Sequence, residues 1–439
     1  MDRKKRLGAV LLLVCGGISL LWGVQMWRAI PGGLVDFQVV YYGTRTLMDH
    51  RDPYNLNELK ETYREQATKV PKGEVDTPQA VTWFIYQPTI FPVVAPFALL
   101  PWSVARMAWF ALLVALLATA TVWMWRVGVR LAPGVSLMLA CGILLNCEVL
   151  FGGGNSAGIA VSLCVLAAWC FVEERFALLG VLCMAMSLAI KPHDGGLVWL
   201  YFLIAGGTMR KRALQTLGAA AVLGATALIW VSQSAPHWMQ QWHANVAAIS
   251  RPGYTSDPGI ITGTVIDLQA VIAVFRDDPR IYDPVAYAIC GLLILAWAVA
   301  TVRKRVTVEH AWLALAAAVP ITMLVTYHRP YDAKLLLLTI PACATLWAKG
   351  GKAGGAALAI TGLGVILTGD VFIAALMSLV EHLLVNSPGS GARWLILTLT
   401  RAPSLALLAM AVFYLWVYWK KAEEGGKQQH TASRYTGRL

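Results

Sequence analysis

One carboxylate near the start of the chain, Asp36, stands between apolar neighbours in the stretch Leu34–Gly43. Tyr41 and Tyr42 follow about one helical turn later. An acid among apolar neighbours at the mouth of a membrane bundle can keep a pKa high enough to act as a general base. The alternative is an interfacial aspartate that caps a short helix and is simply solvated.

Three further groups of polar residues carry candidate chemistry. Lys191 closes an apolar run and is followed by Pro192, His193 and Asp194. Its ammonium group can neutralise a phosphate, although a lysine at this position can also snorkel to a membrane edge.

The second group lies in the segment 327–332, where His328 and Arg329 are adjacent. Arginine offers a planar, bidentate grip on an anion, and histidine offers a titratable partner. The alternative is a loop salt bridge between Arg329 and Asp332.

The third group is the glycine run 152–154, followed by Asn155 and Ser156. Such a run at a helix N-terminus can present backbone N–H groups to a phosphate. A tight turn between two helices would need the same residue types.

The rest of the chain must position these residues, and its composition is that of a membrane protein. Of 439 residues, 58% are hydrophobic and only 14% are charged, which excludes an ordinary soluble domain. Apolar runs of about 18–25 residues recur along the chain and are long enough to cross a bilayer. We therefore predict an all-α polytopic membrane protein with about twelve transmembrane helices. The predicted spans are 7–27, 103–125, 134–151, 156–172, 176–190, 195–207, 213–232, 284–302, 310–327, 333–347, 354–378 and 394–419.

Other features refine this prediction. The spans 176–190 and 195–207 are short enough to form a re-entrant pair instead. Pro92, Pro96 and Pro101 interrupt an apolar stretch, which favours an interfacial or re-entrant element there. One integral domain is expected over residues 1–419, with a polar, disordered tail at 420–439.

Basic residues set the predicted orientation. The formal net charge is +12, and more than half of the Lys and Arg residues fall in the N-terminal segment, the C-terminal tail and alternate short loops. The positive-inside rule then places both termini in the cytoplasm of a bacterial inner membrane. The long loops 28–102 and 233–283 lie outside, and Asp36, Lys191 and Arg329 share that outer side.

In this order, the motifs resemble glycosyltransferase family 87, within the GT-C superfamily of polytopic glycosyltransferases. The matching pieces are Asp36-Phe37 with Tyr41-Tyr42, Asp52-Pro53-Tyr54, Tyr86-x-Pro88, the segment from Pro96 to Pro101, Gly154-Asn155, Lys191-Pro192 and the segment from His328 to Pro341. Two positions depart from the family pattern. Gln87 stands where a second proline is frequent, and Gly154 stands where a glutamine commonly precedes the asparagine.

The resemblance implies an inverting transfer of a sugar, most often mannose, from a polyprenyl-phosphate donor to a lipid-linked or glycan acceptor on the outer face. Asp36 would be the catalytic base. Lys191, His328 and Arg329 would contact the donor phosphate. The remaining expected substrate-binding residues are Asn155, Tyr41, Tyr42, Tyr86 and His193.

Partners and cofactors follow from that chemistry. The expected partners are the lipid-linked donor, the acceptor and membrane lipids, with no nucleic acid. Because the leaving phosphate is already charged, neither a proton donor nor a metal is strictly required, and no cofactor is expected. The eight cysteines fall in apolar runs without a C-x-x-C pair, so neither a disulfide framework nor a cysteine zinc site is expected.

Two other classes of protein share some of these features. A transporter or flippase of a lipid-linked glycan would place polar residues at the bilayer midplane, in broken helices. A non-catalytic subunit of an envelope assembly would tolerate the loss of Asp36.

Overall fold

The computed structural model describes residues 3–29, 33–67, 82–251, 265–303, 306–386 and 390–436. Within those ranges the chain forms α-helices and a 3-10 helix, with no strand. The all-α, polytopic prediction is confirmed. The last helix, α19, continues to Thr436 and so overlaps the predicted tail; the division into a domain and a tail stays a prediction.

Among the described residues, six helices contain a stretch long and apolar enough to cross a membrane. They are α1 (Arg3–Ala29), α5 (Trp102–Gly128), α11 (Gly207–Ser234), α14 (Pro279–Val302), α15 (Val308–Val325) and α19 (Ser390–Thr436). A seventh crossing results if α17 (Gly351–Leu367) and α18 (Asp370–Asn386), which meet at a 57° bend, are one span.

The predicted count of about twelve spans is therefore not confirmed, and helix length is the reason. Several apolar runs form helices of only 12 to 17 residues, or about 18–26 Å, whereas the hydrocarbon layer is about 30 Å thick. These helices are α6 (Pro133–Leu144), α8 (Ser156–Val172), α9 (Ala177–Ile190) and α10 (Pro192–Ala205). Likewise, the predicted span 333–347 divides into a 3-10 helix, Asp332–Thr339, and α16 (Ile340–Ala348).

Burial separates the centre of the bundle from its periphery. Nearly every residue of α8 and most residues of α15 are buried, as expected for helices surrounded by other helices. In contrast, α1, α11 and α14 expose large apolar side chains such as Leu13, Val222 and Leu292. Exposed apolar faces of this extent suit contact with lipid.

A group of shorter helices completes the fold around the polar residues. These are α2 (Val35–Met48), α3 (Leu56–Ala67), α4 (Ile90–Ala98), α7 (Glu148–Gly153), α12 (Trp238–Ile249) and α13 (Leu268–Ala273). Helix α2 packs against α3, α4 and α7. The interfacial or re-entrant element predicted from the prolines corresponds to α4, which is packed against α2, α5, α9 and α11.

Helix α4 is tied to its neighbours by side-chain hydrogen bonds to backbone carbonyls. Arg45 of α2 donates to the carbonyl of Ala98 at 2.8 Å, where α4 ends. At the other end of α4, Thr89 donates to the carbonyl of Ala189 at 2.5 Å. A buried carbonyl that keeps its partner avoids a substantial desolvation cost. These two bonds therefore fix α4 between α2 and the end of α9.

Candidate active site

Asp36 lies in the first turn of α2, where the helix dipole favours a negative charge. The helix begins after Leu34, which has a left-handed backbone (φ 42°, ψ 51°) and a fully buried side chain. Phe37 stacks on Trp109 of α5, with ring centroids 4.4 Å apart. The packing of Leu34 and Phe37 fixes the turn that carries Asp36.

Asn155 orients the Asp36 carboxylate. Its side-chain nitrogen donates to Asp36 Oδ2 at 2.9 Å. Its side-chain oxygen caps α8 by accepting a hydrogen bond from Ala157 N at 2.8 Å. Because the cap requires an acceptor, the amide can turn only its NH₂ group toward Asp36.

Gly153 gives the carboxylate its space. A Cβ atom at this position would lie 2.8 Å from Asp36 Oδ2, closer than real side chains pack. Gly154 follows with φ 63° and ends α7, a conformation that glycine adopts without strain. The glycine run thus allows α7 to approach Asp36; its expected part in phosphate binding stays a prediction.

The pKa of Asp36 is raised, chiefly because burial disfavours the charged form. The hydrogen bond from Asn155 and the charges of Arg329 and Lys191 act in the opposite direction without cancelling the effect of burial. A carboxylate held this way is a stronger proton acceptor than a solvated one. Both cations are therefore close enough to influence the acid that the sequence predicts as the base.

Lys191 lies at the junction of α9 and α10. Its Nζ is 2.5 Å from Asp332 Oδ1 and 3.9 Å from Asp194 Oδ2. Burial alone would lower the pKa of Lys191, but Asp194 and Asp332 raise it above its usual value. The side chain is therefore protonated at neutral pH.

The loop salt bridge between Arg329 and Asp332 that the sequence suggested as an alternative takes a different form. Asp332 accepts the backbone N–H of Arg329 at 2.8 Å on Oδ2, while its other oxygen binds Lys191. The Arg329 guanidinium donates to the hydroxyl of Tyr327 and lies 5.7 Å from that ring. Asp332 thus fixes the turn that presents Arg329.

His328 is fully buried and meets two residues of the Lys191 turn. Its Nε2 lies 3.2 Å from Asp194 Oδ1, and His193 Nε2 lies 3.8 Å from the same oxygen. Burial is the main reason why the pKa of His193 is lowered, to about 3. The structure therefore brings together the two segments that the sequence singled out separately.

The three predicted tyrosines fall into two positions. Tyr41 and Tyr42 are buried in the core, where the Tyr41 hydroxyl donates to Leu100 O at 2.7 Å and the Tyr42 ring packs against Tyr63 at 4.2 Å. Tyr86 belongs to the site electrostatically: burial raises its pKa, and the charge of Asp36 raises it further. Substrate contact by these tyrosines stays a prediction.

Sequence reasoning singled out the glycine run but missed the close approach of Gly153 to Asp36 and the specific partners of Asn155 and Lys191. An asparagine before an apolar run does signal a helix cap, so the role of Asn155 at α8 was detectable. The contacts to Asp36 and Asp332 join residues 119 and 141 positions apart, and no local pattern specifies them.

Fold and site define a multi-pass membrane protein in which a half-buried, hydrogen-bonded carboxylate lies near two cations. A model of glycosyltransferase family 87 matches residues 84–327, more than half of the chain, so the protein belongs to that family and is a glycosyltransferase. The match includes Tyr86, Asn155, Lys191 and His193, whereas Asp36 precedes it. No curated protein and no solved structure matches the chain.

Proposed function

We infer that this glycosyltransferase moves a sugar, most often mannose in this family, from a polyprenyl-phosphate donor to a lipid-linked or glycan acceptor, with inversion at the anomeric carbon. The observation that carries the inference is the environment of the Asp36 carboxylate. Asn155 Nδ2 donates a hydrogen bond to its Oδ2 at 2.9 Å, and the positive charges of Lys191 and Arg329 lower its pKa against the effect of burial. A base and cations for an anionic leaving group are the two parts that such a transfer needs.

In the proposed reaction, Asp36 removes the proton of the acceptor hydroxyl as its oxygen attacks the anomeric carbon. The bond between that carbon and the phosphate oxygen breaks through an oxocarbenium-like transition state. The phosphate leaves with the electron pair, and the proton stays on Asp36 until solvent removes it. A single displacement of this kind inverts the anomeric configuration.

Lys191 and Arg329 would hold the phosphate as its charge grows. Lys191 stays protonated because Asp194 and Asp332 lie beside it, and Asp332 fixes the Arg329 backbone. Preorganised cations are worth more in a water-poor site than at a surface. His193, His328, Tyr86, Tyr41 and Tyr42 are the further residues that we assign to substrate binding.

We place the reaction on the outer face of a bacterial inner membrane, with both termini in the cytoplasm. The support is the alternation of basic loops along the sequence. A lipid-carried donor suits that face, because nucleotide sugars are made and used in the cytoplasm.

The test is a transfer assay with the purified full chain in nanodiscs. Polyprenyl-phosphate mannose labelled in the sugar is mixed with total membrane lipid, and labelled products are separated by chromatography. We expect a new labelled lipid with wild-type protein and at least about 100-fold slower formation of it with Asp36→Asn. Transfer from GDP-mannose but not from the lipid-linked donor would overturn the proposed donor class.

A further inference from the structure

Beside Lys191, two histidines and an aspartate converge at the start of α10. The ligand-type atoms of His193, Asp194 and His328 all lie within 4.8 Å of one another. Asp194 and His328 are almost completely buried, and about a third of the His193 side chain is exposed. The ligand-type atoms are therefore enclosed by protein, although another part of the His193 side chain reaches the surface.

Four side-chain atoms that face one another in this cluster lack hydrogen-bond partners. Among the described residues, none donates to or accepts from His193 Nε2, His328 Nε2 or either carboxylate oxygen of Asp194. An unsatisfied buried polar atom costs about 1–3 kcal/mol, so several together in one place call for a ligand. Native structures rarely leave such groups without a partner.

The tautomer of His328 indicates what kind of ligand is missing. Its Nδ1 is 2.8 Å from the carbonyl oxygen of Thr326, and since a carbonyl only accepts, Nδ1 carries the hydrogen. In the neutral ring, Nε2 then presents a lone pair to Asp194 Oδ1 at 3.2 Å, which is one acceptor facing another. A backbone carbonyl on the far nitrogen is also how proteins orient histidines that bind metals.

A proton between His328 and Asp194 would satisfy only part of the cluster. His193 Nε2, 3.8 Å from the same Asp194 oxygen, would still lack a partner. A cation with three or more coordination positions satisfies all three residues together. In a tetrahedral site with bonds of about 2.0–2.1 Å, ligand atoms lie about 3.3 Å apart, close to the two separations observed.

We propose that His193, Asp194 and His328 bind a divalent metal ion of the zinc type. Two imidazole nitrogens and one carboxylate are a ligand set that suits zinc better than magnesium, which prefers oxygen. Three protein ligands leave at least one position open for a substrate oxygen. Lys191, 3.9 Å from Asp194 Oδ2, leaves Oδ1 to the metal.

The charges around the cluster indicate what the open position takes. The carboxylates of Asp36, Asp194 and Asp332 outnumber the positive charges of Lys191 and Arg329. Asp36 interacts electrostatically with Arg329, Lys191 and Asp332, and Lys191 interacts with Asp194 and Asp332. A donor phosphate would add further negative charge, and a dication reverses that balance. The metal thus binds a phosphate oxygen of the donor; this role rests on the proposed function, whereas the metal site itself does not.

The experiment measures metal binding without donor or acceptor. The full chain, carrying an affinity tag without histidines, is stripped with EDTA in detergent and titrated with Co²⁺ and with Zn²⁺. Bound metal per chain is measured by mass spectrometry, and Co²⁺ coordination is followed by its visible absorption. We expect one ion per chain in the wild type and a Co²⁺ spectrum typical of nitrogen and oxygen ligands.

Variants locate the ion. His193→Ala, at the more exposed ligand, should keep the melting temperature and weaken binding by at least about 10-fold, the lower end of the loss seen when only an outer-shell group is removed. His243→Ala removes an exposed histidine outside the cluster and should bind metal normally. Asp194→Asn should also lose the Co²⁺ spectrum. Wild-type protein that binds no ion, or binding unchanged in His193→Ala, would overturn the metal site.

The result is independent of the transfer assay. Sugar transfer by EDTA-stripped protein that binds no metal would remove the metal site and leave the proposed function intact. Metal binding without transfer from any lipid-linked donor would do the reverse.

Discussion

Asn155 Nδ2 and Asp36 Oδ2 are 2.9 Å apart, although 119 positions separate the two residues. The same asparagine caps α8 through its oxygen, so the helix cap dictates which face of the amide meets the acid. The orientation of the Asp36 carboxylate is thus set by the start of a helix that is buried at the centre of the bundle. This relationship can be tested without touching the acid itself.

Asn155→Ser keeps a good helix cap but removes the donor to Asp36. A hydrogen bond to a charged group is worth about 1.5–3 kcal/mol, so we expect transfer to slow by at least about 10-fold. The loss of that bond should also raise the pKa of Asp36 further. Thermal stability should stay near wild type, whereas Asn155→Ala should lose about 0.5–2 kcal/mol because the cap is gone. Normal turnover by Asn155→Ser would separate Asn155 from catalysis.

Asp36→Asn keeps the size of the side chain and removes its basicity. A positioned general base is worth about 10²–10⁴ in rate, so turnover should fall by at least about 10², with donor binding unchanged. Asp49, exposed at the end of the same helix, provides the matched control, and Asp49→Asn should remain active. Initial rates and donor binding, measured separately, distinguish a base from a structural acid. An active Asp36→Asn enzyme would contradict the mechanism.

The pH dependence of the rate reports the same group. Asp36 accepts a proton only when ionised, and burial raises its pKa above the usual value of about 3.9. The rate of wild-type transfer should therefore rise with pH through a midpoint above that value and fall as pH drops through it. The midpoint should move upward in Asn155→Ser, because the bond that favours the ionised form is missing. If the midpoint of the pH–rate profile were the same in the wild type and in Asn155→Ser, the titrating group would not be Asp36.

Lys191→Met should destabilise the protein as well as weaken donor use. It leaves Asp332 buried without its 2.5 Å partner, and breaking a buried pair costs about 3–5 kcal/mol. Adding Asp332→Asn removes the stranded charge and should restore most of the thermal stability. The donor KM of the double variant should stay high, because the phosphate still lacks its cation. A double variant with normal donor KM would make Lys191 a purely structural residue.

Gly153→Ala tests the space beside the acid. The new methyl group would lie 2.8 Å from Asp36 Oδ2 and must displace the carboxylate. A misplacement of about 1 Å can cost about 10² in rate, and we expect a loss of that order. Gly196→Ala places a methyl where no atom lies within 4 Å and should be fully active. Equal activities of the two variants would show that the position of the carboxylate is not critical.

The sidedness of the site can be tested by labelling. Glu61 of α3 and Lys211 of α11 are both exposed, and the sequence predicts that they lie on opposite sides of the membrane. In intact spheroplasts, an impermeant thiol reagent should label Glu61→Cys but not Lys211→Cys. The native cysteines are buried or half-buried, so the unsubstituted protein gives the background. Labelling of Lys211→Cys alone would place the site on the cytoplasmic face.

Composition and apolar runs were sufficient to predict an all-helical membrane protein, because lipid leaves few other ways to satisfy a backbone. They were not sufficient to count the crossings. A run of hydrophobic residues does not show where a helix stops, and the predicted span 134–151 contains the break between α6 and α7. The predicted outer loop 28–102 likewise contains the helices α2, α3 and α4.

For the site, too, the sequence predicted the kinds of residue but not their contacts. The residue types suited to acid–base and anion chemistry, among them Asp36, Lys191 and Arg329, could be picked out individually. Which of them meet depends on packing between distant segments: Lys191 pairs with Asp332, 141 positions away. Such contacts result from the packing of the whole bundle and leave no periodic trace in the sequence.

The two hydrogen bonds that hold α4 connect it to both parts of the site. At Ala98 it is bonded to α2, which carries Asp36, and at Thr89 it is bonded to the end of α9, next to Lys191. A helix without a single ionisable side chain thereby sets the spacing between the acid and the cation. A chimera of this enzyme should therefore take α2, α4 and the end of α9 from the same parent protein. If they came from different parents, the hydrogen bonds that align Asp36 with Lys191 would be lost.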